Sequence, residues 1–327
     1  MKKIYATILC VIMIATMLLV SGCSPESTPK SLKFGAGVYV SAPTTTDATA
    51  DSDGSGKVDI TVAAVIVDAD GKIVACALDT ASNTIKFKVD GKAVANAEFK
   101  TKYELGDEYG MKSPYGSEKE WYEHLEAFKN VVKGKTLAEV KALVAEGNKG
   151  TDEVVNAGCT IMIHEFVGAI EKAYKSAKDS DVTANDVLKV TAATEQTCTD
   201  ATVDEKGSNK VSTTVFAAAL RDGKVVAASS DCVEVNFTFT VAGVSELDTT
   251  KEVLSKKEKG STYGMVAAGS QKEWYEQAAA FDAACIGMTA SEISGLMGAD
   301  GKGVAELQSA GCTIYVSGFI KAATKIG

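Results

Sequence analysis

The chain repeats itself over a long period. Gly116-Ser117-Glu118-Lys119-Glu120-Trp121-Tyr122-Glu123 returns as Gly269-Ser270-Gln271-Lys272-Glu273-Trp274-Tyr275-Glu276, a spacing of 153 residues. Ala157-Gly158-Cys159-Thr160-Ile161 returns as Ala310-Gly311-Cys312-Thr313-Ile314 at the same spacing. Tyr109-Gly110-Met111 and Tyr263-Gly264-Met265 match with a shift of one, and Asp70-Gly71-Lys72 pairs with Asp222-Gly223-Lys224. The landmarks keep one order. A solenoid repeats every 20–50 residues or so, so this period predicts two tandem copies of a domain of about 150 residues.

Each copy reads as α+β, a twisted antiparallel sheet flanked by helices. Apolar strands are expected at 34–40 and 188–192. A polar loop at 41–56 follows the first of them and reads as mobile. Next comes a hairpin, 58–67 and 73–78, matched by 211–220 and 225–228. Aspartate-glycine stands at each turn, where glycine accepts the positive φ that tight hairpins need. A further strand is expected at 84–89 and at 233–241. The second part of each copy has helical periodicity. Trp121, Leu125, Phe128 and Val132 share one face, as do Trp274, Ala278, Phe281 and Cys285. Ser117 with Glu120, Ser270 with Glu273, Thr136 with Glu139 and Thr289 with Glu292 have the spacing of capping boxes. A closing amphipathic helix spans 165–175. The expected boundaries are a leader at 1–22, a tether at 23–31, copies at 32–176 and 188–327, and a linker at 177–187.

The leader sets the compartment. Met1-Lys2-Lys3 precedes an apolar run at 8–20, the pattern of a secretory signal. Val20-Ser21-Gly22-Cys23 resembles the lipobox of bacterial lipoproteins, with Cys23 as the lipidated N-terminus after cleavage. Acyl chains there would hold a soluble body on the extracytoplasmic face of the cell membrane. Six cysteines follow (Cys76, Cys159, Cys198, Cys232, Cys285 and Cys312) in a compartment that permits disulfides; their pairing is not legible.

Charge and residue inventory remove several functions. With 34 basic against 43 acidic residues the net charge is −9, so no nucleic-acid partner is expected, because phosphate binding needs a basic footprint. Hydrophobic residues at 46% exclude wholesale disorder. The two histidines, His124 and His164, face Gln277 and Ser317 in the other copy. Histidine-based metal binding or catalysis would therefore break the repeat, and no catalytic residue is assigned. The acidic stretch at 47–59 has Ile60 where a calcium loop needs its bidentate glutamate, and reads as a solvated loop. Each tryptophan reads as a core residue from its spacing.

The repeated Ala-Gly-Cys-Thr-Ile segments are the strongest site candidates. Glycine permits close backbone approach, threonine supplies a hydroxyl, and a helix begins just beyond, a place that favours anions. The residues alone favour a tight turn with Cys and Ile in the core, which explains all but the repeated hydroxyl.

With these segments and the Asp70-Gly71-Lys72-Ile73 and Asp222-Gly223-Lys224-Val225 turns, the layout resembles the FMN-binding domain of respiratory flavoproteins. These include small subunits of sodium-pumping quinone reductases, Rnf-type complexes and flavin-bearing surface lipoproteins. The resemblance implies FMN phosphate esterified to Thr160 and Thr313, with Gly158 and Gly311 giving close approach and Cys159 and Cys312 beside them. It implies a flavin transferase and a membrane electron-transfer complex as partners. Ala157 and Ala310 stand where that family has Ser or Thr, and Val154 and Leu307 where it has aspartate. Two functions follow as expectations: a lipid-anchored electron carrier with one flavin per copy, or a non-redox lipoprotein that captures a ligand or partner.

Overall fold

A computed structural model describes residues 31–112 and 116–327. The leader and Cys23 lie outside the described residues. The first half contains β1 (Lys33–Val40), β2 (Thr44–Thr46), β3 (Gly54–Val67), β4 (Ile73–Phe87) and β5 (Ala93–Val94). Helices α1 (Lys102–Leu105), α2 (Trp121–Val132), α3 (Leu137–Lys141), α4 (Asp152–Asn156) and α5 (His164–Ser176) follow, then a short β6 (Lys178–Asp179). The second half contains β7 (Val187–Thr199), β8 (Gly207–Arg221) and β9 (Lys224–Phe239). Its helices are α6 (Lys256–Lys259), α7 (Trp274–Cys285), α8 (Ala290–Ile293), α9 (Ala305–Ser309) and α10 (Ser317–Ala323).

Both sheets are antiparallel. The first runs β5-β4-β3-β1-β6 with β2 added to β3, and the second runs β7-β8-β9. The turns follow the sequence. Asp222 (φ +52°) and Gly223 (φ +76°) bridge Arg221 and Lys224 in the two-positive-φ geometry that suits twisted strands. In the first half the Asp68 carboxylate accepts the N–H groups of Asp70 and Lys72, closing a longer loop.

One face of each sheet is covered by its own helices. Trp121, Leu125 and Phe128 of α2 pack with Ala63, Val65 and Leu78, and Trp274, Ala278 and Phe281 of α7 with Phe216 and Ala218. Helix α5 lies so close on β1 that a Cβ at Gly35 or Gly37 would sit 2.1 or 2.3 Å from the Ala173 backbone. The other faces meet each other. Val38, Ile60, Val62 and Ile85 share a core with Val211, Val215, Val233 and Phe237, and Phe87 stacks on Phe239 with ring centroids 4.5 Å apart. Residues 60–67 and 213–220 are consequently buried at every position, as strands covered on both faces must be.

The contacts between halves come in reciprocal pairs. Ala48 N–H bonds Gly243 O and Ala201 N–H bonds Gly91 O, each at 2.8 Å. Ser245 N–H bonds the Asp47 carboxylate and Ala93 N–H bonds that of Asp200. Lys172 pairs with Glu258, and Lys325 with Glu104. Matching positions meet twice, the pattern of an isologous interface. Residues 31–327 form one compact unit.

Three local expectations are corrected. The polar loop at 41–56 is partly strand, because Thr44–Thr46 pairs with Lys57 to Ser55. The hairpin strand at 73–78 and the strand at 84–89 are one continuous β4, and β9 is likewise unbroken. The polar middle of β4 is satisfied inside: Thr80 with Thr61 at 2.9 Å, and Asn83 with Thr213 at 2.8 Å. Ser117 and Ser270 do not cap the tryptophan helices. Glu120 and Glu273 are the caps, donating their N–H groups to Glu123 and Glu276. The linker segment at 178–186 is packed against the body. Its first residues pair with β1, Val182 is buried, and Asp186 holds Arg221 at 2.8 Å. The capping boxes at Thr136 and Thr289 form as expected.

Candidate functional site

Two pockets occupy matching places, one in each half. The first is a cavity of about 410 Å³ walled by Tyr109, Met111, Trp121, Ile161 and Phe166. The second, about 320 Å³, is walled by Tyr263, Met265, Trp274, Ile314 and Phe319. These five wall residues have the same type at matching positions, whereas Met162, His164 and Glu165 of the first lining stand where the second has Tyr315, Ser317 and Gly318.

A lysine forms the polar centre of each. Lys102 Nζ lies 5.7 Å from the Trp121 ring and 5.6 Å from Tyr109. Lys256 Nζ lies 5.6 Å from Trp274 and 5.0 Å from Tyr263. Both lysines start short helices whose capping boxes, Thr101 with Glu104 and Ser255 with Glu258, fix the backbone. Such cation–π contacts favour the charged amine.

The carboxylate beside the lysine comes from different strands. In the first half it is Asp59 on β3, 3.1 Å from Lys102 and 3.6 Å from Lys57. Ser82, across the ladder on β4, donates to it at 2.6 Å. In the second half the strands exchange residues: Ser212 stands on β8 and Glu234 on β9. Glu234 lies 3.2 Å from Lys256 and 3.0 Å from Lys210. Side chains opposite each other in a ladder approach closely, so either strand can supply the acid. The ion-paired arrangement is kept although neither acidic position is. Burial works to raise the Asp59 pKa, but Lys102, the Ser82 hydroxyl and Lys57 hold it below the ordinary value. Burial likewise opposes the charge on Lys102, which Asp59 and Tyr109 restore, leaving its pKa raised.

The Ala-Gly-Cys-Thr-Ile segments form the turn after α4 and after α9, leading into α5 and α10. Gly158 (φ +102°) and Gly311 (φ +105°) carry positive φ, which accounts for glycine there. Cys159 and Cys312 are fully buried, and burial pushes both thiols up to about 11. They are protonated packing residues at neutral pH, unsuited to thiolate chemistry. Thr160 and Thr313 are exposed. Ile161 and Ile314 link each turn to its pocket. Val154 and Leu307, where the flavin family has aspartate, are core positions.

His124 and Gln277 hold these turns from below. His124 Nδ1 lies 3.1 Å from Gly158 O and 3.3 Å from Thr160 N, and Nε2 lies 3.2 Å from Ser117 Oγ. A neutral ring nitrogen cannot accept and donate at once. Gln277 shows which role applies. Its Oε1 accepts from Thr313 N–H at 2.9 Å and Thr313 Oγ1 at 3.0 Å, and its Nε2 donates to Ser270 Oγ. The same assignment makes Nδ1 the acceptor from Thr160 and Nε2–H the donor to Ser117. Gly158 O is then served by Lys119 Nζ at 3.1 Å. Burial, the largest influence, lowers the His124 pKa and favours this neutral form.

The sequence reading missed Lys102, Lys256, Asp59 and Glu234. The lysines had a signal, the paired capping boxes Thr101-Lys102-Tyr103-Glu104 and Ser255-Lys256-Lys257-Glu258. The acids had none, since their positions differ. All six cysteines in the described residues are unpaired. No cluster of three metal-ligating side chains occurs among the described residues, and no described helix is long and apolar enough to cross a membrane. Comparison with protein-family models, curated proteins and solved structures returned no match.

Proposed function

We infer that the protein is an extracytoplasmic lipoprotein, anchored to the cell membrane through Cys23, that binds one small ligand in each half. The halves are read as tandem copies of one α+β domain. The carrying observation is the pair of pockets at matching positions that share five wall residues, each centred on an ion-paired lysine beside a tryptophan and a tyrosine. A buried lysine needs a partner charge in any core; what favours a recognition site is that both ion pairs open onto a cavity walled by aromatic rings. Concave apolar walls around a few polar groups are the usual form of a small-molecule site.

The test is native mass spectrometry of protein from its native host, followed by denaturation to identify released molecules. The expectation is two bound molecules per chain, falling to one in Lys256→Met. If nothing is released, and no compound of a broad panel changes the emission of either tryptophan, the reading is wrong.

A second reading, electron transfer by FMN, is favoured by the exposed positions of Thr160 and Thr313 on matching turns, the Thr313 hydroxyl being bound to Gln277. Lys119 supports it: its Nζ lies 2.0 Å from where a Cβ of Gly158 would stand, a cation on the turn that carries Thr160. Thr160 and Thr313 would carry the phosphate, with Lys119 and Lys272 beside it, and the flavin would supply reversible electron uptake. A flavin transferase and a membrane electron-transfer complex would then be its partners. The core positions of Val154 and Leu307 rank this reading second. It requires yellow protein from the native host, with the mass of two FMN groups less two waters. Thr160→Ala and Thr313→Ala would each remove one.

A further inference from the structure

The two pockets differ in one respect that bears on their ligands. In the first, the Asp59 charge is matched by Lys102 and Lys57. Glu165, at the start of α5, lines the same cavity. Among the described residues it has no cation within ion-pair distance, and its one hydrogen bond comes from Thr61 Oγ1 at 3.5 Å, the long limit for such a bond. His164 Nδ1, beside it, is buried without a partner. In the second pocket Gly318 and Ser317 stand at these positions. Glu195 enters from β7 instead, and is already paired with Lys321 at 2.8 Å.

A part-buried carboxylate without a partner is costly, because burial removes water that nothing replaces. Burial and the nearby Asp59 charge leave the Glu165 pKa raised, against the opposing pull of Lys102, His164 and Lys57. A ligand that brings positive N–H donors relieves this. An apolar body attached to the cation would lie along Trp121, Tyr109 and Phe166. We propose that the first pocket binds a small primary ammonium carried on an apolar body, donating to Glu165, and that the second pocket does not. The proposal rests on the two-pocket reading and names the ligand class of one site.

The chain has two tryptophans, one in each pocket, so each site has its own reporter. The full chain carrying Trp274→Phe is titrated with phenethylamine while Trp121 emission is followed, and calorimetry of the unmodified protein gives the stoichiometry. The expected result is saturable binding at one molecule per chain, with 2-phenylethanol, the neutral analogue, at least tenfold weaker. Glu165→Gln should weaken phenethylamine at least tenfold, with circular dichroism and thermal midpoint verifying its fold. Equal binding of amine and alcohol, or undiminished binding in a folded Glu165→Gln, overturns the proposal. So does a response from Trp274 in the Trp121→Phe protein equal to that of Trp121. If phenethylamine fails while another molecule fills both pockets, this proposal falls and the two-pocket reading stands. If nothing enters either pocket, both fall.

Discussion

Phe87 is the residue whose removal tests most directly whether the halves depend on each other. It is 1% exposed, and its ring stacks 4.5 Å from Phe239, which is 0% exposed. Phe87→Ala removes a fully buried ring from the core shared by the two sheets. Such truncations cost about 3–5 kcal/mol through lost burial and the cavity left behind, and loss of the aromatic pair keeps the value in the upper part of that range. With about 4 kcal/mol lost and a urea m value of about 3 kcal/mol/M, the unfolding midpoint should fall by about 1.3 M. The assay is urea unfolding followed by tryptophan fluorescence in two backgrounds. Trp274→Phe leaves Trp121 to report the first half, and Trp121→Phe leaves Trp274 to report the second. One cooperative unit predicts that Phe87→Ala shifts both midpoints by the same amount, although the substitution lies in the first half. A shift confined to Trp121 would refute the shared-core reasoning, since the second half would then stand without its partner.

Acidity supplies another prediction. Burial raises the Asp79 pKa to about 7, against 3.8 for the free side chain. A folded acid that holds its proton more tightly than the unfolded chain stabilises the fold fully below its unfolded pKa, and loses that contribution as pH rises through its folded pKa. Between pH 4.5 and 6.5 wild type should therefore lose stability relative to Asp79→Asn, by about 1 kcal/mol per pH unit. Parallel denaturation curves across that range check it, and a difference that stays constant or reverses sign counts against it. Cys23→Ala, at the lipobox, should release the protein from membranes or leave the leader uncleaved; unchanged mass and fractionation would rule out the lipid anchor.

Several features were legible because they depend on local chemistry. The tryptophan helices follow from residues that fall on one face every three or four positions, and Trp121, Leu125, Phe128 and Val132 are all buried. The threonine-glutamate capping boxes at 136 and 289 need only three residues of separation. Ser117 shows the limit of such reasoning. Its spacing to Glu120 is right, but the Glu120 carboxylate accepts the N–H groups of Met111 and Lys112. The partner that sequence spacing assigned to the serine is therefore held by a different loop. The strands β4 and β9 looked broken because polar residues interrupt their apolar runs. On β4, Thr80 and Ser82 bond across the ladder and Asn83 bonds the other half, while on β9 Ser230 bonds Asp282 of α7.

The sequence by itself determined the long repeat, the hairpin turns and the amphipathic helices, since each is set by residues close in the chain or by direct comparison of one segment with another. Only the tertiary structure decided that the sheets close on each other, because the partner of Phe87 is Phe239 and no local pattern relates them. It also decided the pockets. Lys102 meets a carboxylate on β3 and Lys256 meets one on β9, a change of strand invisible to linear alignment. Charge complementarity acts on distance in space, and in an antiparallel ladder two positions far apart in sequence present their side chains to the same few ångströms.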